Sequence, residues 1–155
     1  MKRFFNDLLV FGLALVVILG WSYYREWQKG KVPPEDWFTI RQVSVADFAA
    51  GTDDAPVVYD REIRRPFEGD WIVKVIAIPD NVLVCSGSGT NYYEPQDKVP
   101  EIGVTFDWFV GKDCRLAPGQ YALRVHYKLR VIGYPEKYLD VSSNVFRVLP
   151  LEATP

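Results

Sequence analysis

The sequence predicts an all-β domain, an antiparallel sandwich, preceded by one N-terminal transmembrane helix. The run Leu8–Tyr24 carries no charge and covers roughly 25 Å as a helix, close to the hydrocarbon thickness of a bilayer. From Trp37 onward, apolar residues recur with a period of two in short runs separated by turn residues, as in antiparallel strands. We therefore expect an anchor over 1–29, a linker over 30–36, a β-sandwich over 37–150 and a tail over 151–155.

The apolar run ends in bulky aromatic residues, which favours a retained anchor over a cleaved signal peptide. Lys2 and Arg3 precede the run, as basic residues do in both kinds of segment. A cleavage site needs small residues after the run, whereas large amphipathic rings favour the headgroup zone beside a retained span. We therefore expect contact with the lipid bilayer through Leu8–Tyr24, and a membrane interface formed by Trp21, Tyr23, Tyr24 and Trp27.

The two cysteines set the expected orientation, because basic residues on the two sides of the span are nearly balanced. Cys85 and Cys114 are the only cysteines of the chain, and a disulfide between them would persist in an exported domain. We expect a single-pass protein of the cytoplasmic (inner) membrane, with its N-terminus inside and its folded domain in the periplasm or outside the cell. The alternative is a domain in the cytosol with two free thiols.

Several strands are expected after the linker. Trp71–Ile78 is apolar on both faces apart from Lys74, which predicts a central strand. Val82–Cys85 predicts the next strand, and the glycines of Cys85–Thr90 predict a flexible loop. The other expected elements are a strand with alternating aromatic residues over Val104–Val110, at most one helical turn over Ala46–Ala50, and a long hairpin of Tyr121–Ile132 with Tyr138–Leu149.

One stretch resembles a known feature of β-sandwiches. Leu116-Ala-Pro-Gly-Gln-Tyr121, followed by Leu123, Val125 and Tyr127, is similar to the tyrosine corner of immunoglobulin-like and fibronectin type III domains. The resemblance covers roughly 61–149. It implies an immunoglobulin-like sandwich in which the Tyr121 hydroxyl binds backbone upstream. It also implies roles in binding or spacing more often than in catalysis, although a fold alone does not fix a function.

The long hairpin brings basic side chains to one face. Alternate residues of a strand point to opposite faces, so four basic or titratable residues should share the outer face. A turn over Gly133–Glu136 would set Leu123 opposite Phe146 and Tyr121 opposite Val148. The candidate binding face is then Arg124, His126, Lys128, Arg130, Leu139, Val141 and Val145. The alternative is a solvated face whose charges are neutralised by neighbouring carboxylates.

The resemblance also implies where this hairpin lies. In immunoglobulin-like sandwiches the final hairpin turn and the N-terminus share a pole, which here would bring Tyr134, Arg130 and Lys137 near the membrane. Anionic lipid headgroups are therefore a second expected partner of the basic row, at about 1 kcal/mol per basic residue near an anionic surface.

Composition and motifs exclude several functions. A net charge of -2 argues against nucleic-acid binding, and two cysteines with one histidine are too few for a usual zinc site. No catalytic constellation accompanies His126. We therefore expect no enzyme, cofactor or metal, but a non-catalytic binder of an unidentified protein, similar in shape to small accessory membrane proteins of bacteria and their phages. The alternatives are a structural subunit of an envelope or phage-associated assembly, and an envelope hydrolase.

Overall fold

The structure is a computed structural model that describes residues 2–52, 55–97 and 104–151, with side chains described from Val10 onward. The chain divides into two compact units. One consists of Met1–Val32 with Gly133–Pro135, and the other of Pro33–Ile132 with Glu136–Pro155. Most of the predicted tail, from residue 152 onward, lies outside the described residues.

The first unit is dominated by one helix, α1, over Lys2–Lys31. This helix continues through Gly30, so the linker begins two residues later than predicted, and Pro34–Asp36 forms a single 3₁₀ turn. Proline has no backbone N–H to continue a helix, which explains the end of α1 just before Pro33. Lys2, Arg3 and Leu8, the start of the predicted span, lie outside the described side chains. Among the described residues, no helix combines the length and apolarity needed to cross a membrane.

The second unit is an all-β domain, as predicted, in which the described residues form two sheets. One sheet has the strand order β1-β3-β6 and the other has the order β2-β8-β7-β4-β5. The elements are β1 (Phe38–Val45), β2 (Phe48–Ala49), β3 (Pro56–Ile63), β4 (Phe67–Ile78), β5 (Val82–Tyr93), β6 (Val104–Thr105), α2 (Phe106–Val110), β7 (Gly119–Arg130) and β8 (Lys137–Leu149).

The two sheets pack face to face through aromatic side chains. Phe38 of β1 lies against Phe67 of β4 and Tyr127 of β7, with ring centroids 5.2 Å and 5.1 Å away. Alternate residues of β7, from Tyr121 to Leu129, are buried, because one face of that strand covers the opposite sheet. Near the end of β1, the Asn144 side chain accepts a hydrogen bond from Val45 N and donates one to Val45 O, which joins β1 to β8.

The pairing is antiparallel except at one place. β2 pairs with β8 in parallel, with Phe48 opposite Val148, so the prediction of a wholly antiparallel sandwich is wrong here. In Ala46–Ala50, where at most one helical turn was predicted, no helix forms and Phe48–Ala49 is strand β2. After β1 the chain crosses to the other sheet, where Asp47 Oδ1 accepts a hydrogen bond from Arg147 N at 2.7 Å. That contact places the short β2 beside β8.

Val104–Val110 was predicted as a strand but is mostly helix α2. The same run that alternates aromatic residues also places Phe106, Phe109 and Val110 at the i, i+3 and i+4 spacing of a helix, and these three are buried. Thr105 caps the helix, because its hydroxyl accepts a hydrogen bond from Trp108 N at 3.3 Å.

The predicted flexible loop over Cys85–Thr90 is instead part of β5, which pairs with β4 up to Tyr93. Glycine has low strand propensity, but close packing requires it here. A Cβ atom on Gly87 would meet Val110 O at 2.5 Å, and one on Gly89 would meet the Trp71 ring at 2.8 Å. The glycines therefore let α2 and Trp71 approach the backbone of β5.

The predicted register of the long hairpin is wrong. Tyr121 lies opposite Phe146, not Val148, and an irregularity between Ala122 and Arg124 shifts the pairing again. The strands end at Arg130 and resume at Lys137, so the connection is longer than the four-residue turn from which the register was predicted.

Candidate functional site

The basic row of β7 lies on the outer face of the five-stranded sheet, as the strand periodicity predicted. Arg124, His126, Lys128 and Arg130 alternate with buried residues. Their partners across β4 include Lys74, Ile72, Asp70 and Glu68.

Of the three apolar residues predicted for the candidate binding face, Leu139, Val141 and Val145, only one lies beside these basic residues. Directly opposed residues in an antiparallel pair share a face. Leu139 lies opposite Tyr127 and Val141 opposite Val125, so both face the inner side of the sheet, contrary to the prediction. Val145 lies opposite Ala122 and remains on the outer face, where it is exposed.

Arg130 forms the most extensive ion-pair cluster of the outer face among the described residues. Its guanidinium donates to Asp70 at 2.5 Å and 2.7 Å and to Glu68 at 2.9 Å. The Thr90 hydroxyl also donates to Asp70. These hydrogen bonds lower the pKa of the Asp70 carboxyl to about 2, and the bond from Arg130 has a larger effect than the bond from Thr90. The same contacts with Asp70 and Glu68 raise the pKa of Arg130.

The rest of the row is paired as well. His126 Nδ1 lies 2.6 Å from Asp140 Oδ1, and Lys128 Nζ lies 2.9 Å from Glu136 Oε1. The hydrogen bond to Glu136 raises the pKa of Lys128. Arg124 donates to Asn81 Oδ1 at 2.6 Å. The outer face thus matches the alternative interpretation of the sequence, in which carboxylates neutralise most of the row.

The remaining predicted residues lie in other parts of the chain. Cys85 and Cys114 form the predicted disulfide, which ties β5 to the segment after α2. The Tyr121 hydroxyl donates to Ala117 O at 2.8 Å, as the tyrosine-corner resemblance implied. The aromatic residues expected at the membrane interface, Trp21, Tyr23, Tyr24 and Trp27, are exposed on α1.

A cavity of about 720 Å³ lies at one end of β5, and sequence reasoning missed it. Five consecutive residues of β5, Gly89–Tyr93, line the cavity together with Tyr59 and Arg61 of β3, Trp71 of β4 and Trp108 of α2. Its lining combines aromatic rings with a few polar groups, which is the usual composition of a ligand site.

The aromatic wall of the cavity includes two near-parallel indole rings. Trp71 lies 6.4 Å from Trp108 between ring centroids, with an interplanar angle of 19°, and it also packs against the buried Phe109 at 6.1 Å. Trp108 is 59% exposed, so much of this side chain is accessible to an incoming group.

The base of the cavity holds a cation among tyrosines. The Arg61 guanidinium carbon lies 5.4 Å from the Tyr59 ring centroid and 5.1 Å from that of Tyr93, within range of a cation–π contact. Arg61 Nε is buried and has no hydrogen-bond partner among the described residues. The Tyr59 hydroxyl lies 2.5 Å from that of Tyr127. Burial raises the pKa values of both, and that of Tyr93 to about 12.

β5 is an edge strand, and its second side pairs with no strand in the part of the chain that the structure describes. Exposed edges are usually protected by charges, prolines, bulges or short length. The edge strand β1 has Arg41 and a register shift next to it, while β2 and β6 have two residues each. β5 has no charged residue or proline. Its own register shift lies at the start of the strand, between Leu83 and Cys85, and it pairs regularly with β4 from Cys85 to Tyr93.

No cluster of three or more potential metal ligands occurs among the described residues. Comparison of the chain with family models, curated proteins and solved structures found no match. We therefore infer function from the chain's own geometry.

Proposed function

We propose that this chain is a single-pass membrane-anchored, non-catalytic β-sandwich protein that presents a binding surface on the outer side of the cytoplasmic membrane. The disulfide between Cys85 and Cys114 is the observation that carries this proposal. Structural disulfides persist in the periplasm and outside the cell, and are rare in the cytosol. The two cysteines are separated by 29 positions and do not form the Cys-x-x-Cys motif of redox proteins.

The proposed anchor is α1. Its uncharged run Leu8–Tyr24 ends in exposed aromatic rings of the kind that favour the headgroup zone. Trp21, Tyr24 and Trp27 form a series with successive centroids 6.1 Å apart. Lys31 Nζ lies 3.3 Å from the Trp27 ring centroid. A basic and an aromatic side chain are therefore in contact at the C-terminal end of the helix.

The proposed working part is an immunoglobulin-like sandwich that acts by contact. Two packed sheets and the Tyr121 hydrogen bond to Ala117 support this assignment. The cavity beside β5 supplies a concave surface with aromatic and polar groups, and it is a better candidate for binding than the internally paired outer face.

A structural subunit of an envelope or phage-associated assembly is the second candidate. The unpaired side of β5 favours it, because an edge strand can also serve as a permanent joint between subunits. The stoichiometry of complexes extracted from native membranes separates the two functions. A fixed ratio to one partner supports the subunit, and a free monomer supports the binder.

The proposal is tested by fractionation and thiol labelling. We expect the full-length chain to remain in the membrane after alkaline carbonate extraction, and its thiols to react with maleimide only after reduction. A Cys114→Ser variant provides the matched control, because its remaining Cys85 is partly exposed and should react without reduction. Recovery of a processed soluble chain, or free thiols in the wild-type protein of intact cells, would overturn the proposal.

A further inference from the structure

We propose that the free edge of β5 binds an extended segment of a partner protein as an added strand, and that a tyrosine of that segment enters the aromatic cavity. This inference rests on the proposed function and names the partner chemistry of its binding surface. Main-chain hydrogen bonds would supply general affinity, and the cavity would supply specificity, as in other cases of strand addition.

The edge itself suits an incoming strand. Cys85–Tyr93 gives nine regularly paired residues, about 30 Å of strand. Among the described residues, no backbone hydrogen bond joins the second side of this segment to another part of the chain. The absence of charge within the segment means that the partner strand meets no fixed ionic barrier.

The cavity lies where an inward side chain of the added strand would point. Gly89 lies opposite Trp71 in the β4–β5 pairing, on the inner face, and it lines the cavity. Because a neighbouring strand places its side chains on the same faces as those opposite, a residue paired with Gly89 would direct its side chain toward the inner side. Gly89 places no side chain there, and the Trp71 ring packs directly against its backbone, so the incoming side chain would meet the Trp71 and Trp108 rings.

Tyrosine fits the chemistry of the cavity. Its ring can stack on the exposed side chain of Trp108, since offset aromatic pairs are favourable. Its hydroxyl oxygen can accept a charge-assisted hydrogen bond from the guanidinium of Arg61, which lines the cavity. A purely aliphatic side chain would satisfy neither the ring face nor the guanidinium.

A second copy of this chain fits the edge less well. Two β5 strands related by a twofold axis would run antiparallel. The inward-facing residues of β5 in this segment are Cys85, Gly87, Gly89, Asn91 and Tyr93, and Tyr93 is already buried in its own sandwich. A second β5 strand therefore has no exposed tyrosine to place in the cavity.

The test uses the full-length chain in lipid nanodiscs and the acetylated, amidated probe Ser-Thr-Val-Tyr-Val-Thr-Ser. A second probe carries alanine in place of tyrosine. Two further probes carry N-methyl groups on alternate residues, so that each blocks one of the two sets of main-chain donors. We expect the tyrosine probe to bind at least about tenfold more tightly than the alanine probe. We also expect one N-methylated probe to lose binding and the other to retain it.

Two variants locate the site. Trp108→Ala should weaken binding of the tyrosine probe by about tenfold, a typical loss for an aromatic contact. Tyr138→Ala removes an aromatic side chain of similar exposure, 65%, from the outer face and should leave binding unchanged. Trp108→Phe keeps an aromatic ring at this position and should retain most of the affinity for the tyrosine probe. Comparison of the two variants separates loss of the aromatic contact from loss of folding.

Three results would overturn the inference. One is absence of binding by every probe up to about 1 mM, the weak end of measurable affinity. Another is equal binding of the tyrosine and alanine probes. The third is full retention of binding by both N-methylated probes, because strand addition requires one set of donors. Dimers that dissociate when Ser88→Lys is introduced at the edge would instead assign β5 to a second copy. Membrane retention and thiol labelling would be unaffected by these outcomes.

Discussion

The outer face of the five-stranded sheet and the edge of β5 differ in whether their polar groups have partners. On the outer face, Arg130, His126 and Lys128 each have a carboxylate partner within 3 Å or less. The β5 edge has no charge, and among the described residues its second side pairs with no strand and adjoins a cavity lined by Arg61, whose buried Nε has no hydrogen-bond partner there. A row of charges in the sequence is therefore a weaker sign of an interaction surface than a polar group that the folded chain fails to satisfy.

The largest effect on stability is expected from removing the disulfide between β5 and the segment after α2. The double variant Cys85→Ala with Cys114→Ala should lower the free energy of unfolding by about 3–4 kcal/mol, because a closed loop of this length restricts the unfolded chain. Urea denaturation of both proteins in the same detergent measures the difference. A loss below about 1 kcal/mol would mean that β5 is held by pairing alone.

A smaller loss of stability is expected from Gly87→Ala. The added Cβ would meet Val110 O, a backbone atom, at 2.5 Å, and overpacking of this kind costs about 1–3 kcal/mol. Ser86→Ala on the neighbouring exposed position is the matched control and should change stability by less than about 0.5 kcal/mol. Equal stability of the two variants would show that α2 does not pack against the inner face of β5 at Gly87.

The base of the cavity predicts a response to alkaline pH. Burial raises the pKa of Tyr93 to about 12 from its ordinary value of 10.0, so the folded state favours the neutral phenol. The resulting stability is complete below pH 10 and is lost as the pH rises through about 12. Tyrosinate absorbance followed with circular dichroism should show ionisation of buried tyrosines together with unfolding. Ionisation near pH 10 with the fold intact would contradict the buried environment.

The smallest effect is expected on the outer face. Asp70→Asn removes an exposed ion pair, and such pairs contribute little. The hydrogen bond from Arg130, and to a smaller extent that from Thr90, lowers the pKa of Asp70 from 3.8 to about 2. Its contribution to stability is therefore complete above pH 3.8 and disappears as the pH falls through 2. Denaturation curves of wild type and variant should converge across that interval, and a constant difference down to pH 2 would argue against the ion pair.

The sequence predicted the parts of the fold in which local pattern and tertiary structure agree. Alternation in Tyr121–Ile132 located β7 and its outer row, and the two cysteines paired as expected. It failed at α2, because Phe106, Phe109 and Val110 satisfy helical spacing within a run that also alternates. It failed at Cys85–Thr90, because pairing with β4 overrides the low strand propensity of glycine.

The cavity could not be predicted, because its wall joins residues that are distant in the sequence. Tyr59, Trp71, Gly89 and Trp108 belong to four different elements. The useful signal was local: glycines alternate with polar residues in Ser86–Thr90, which marks a strand whose one face must be approached closely. The hairpin register was equally inaccessible, because the strands end before the turn residues and a local irregularity shifts the pairing.

Hydrogen exchange of the full-length chain, with and without the tyrosine probe, most directly tests whether the β5 edge is the binding surface. We expect the probe to slow amide exchange within Val82–Tyr93 and to leave Lys137–Leu149 unchanged. Slower exchange in the β7–β8 hairpin, with β5 unaffected, would contradict this expectation and return the binding surface to the charged face.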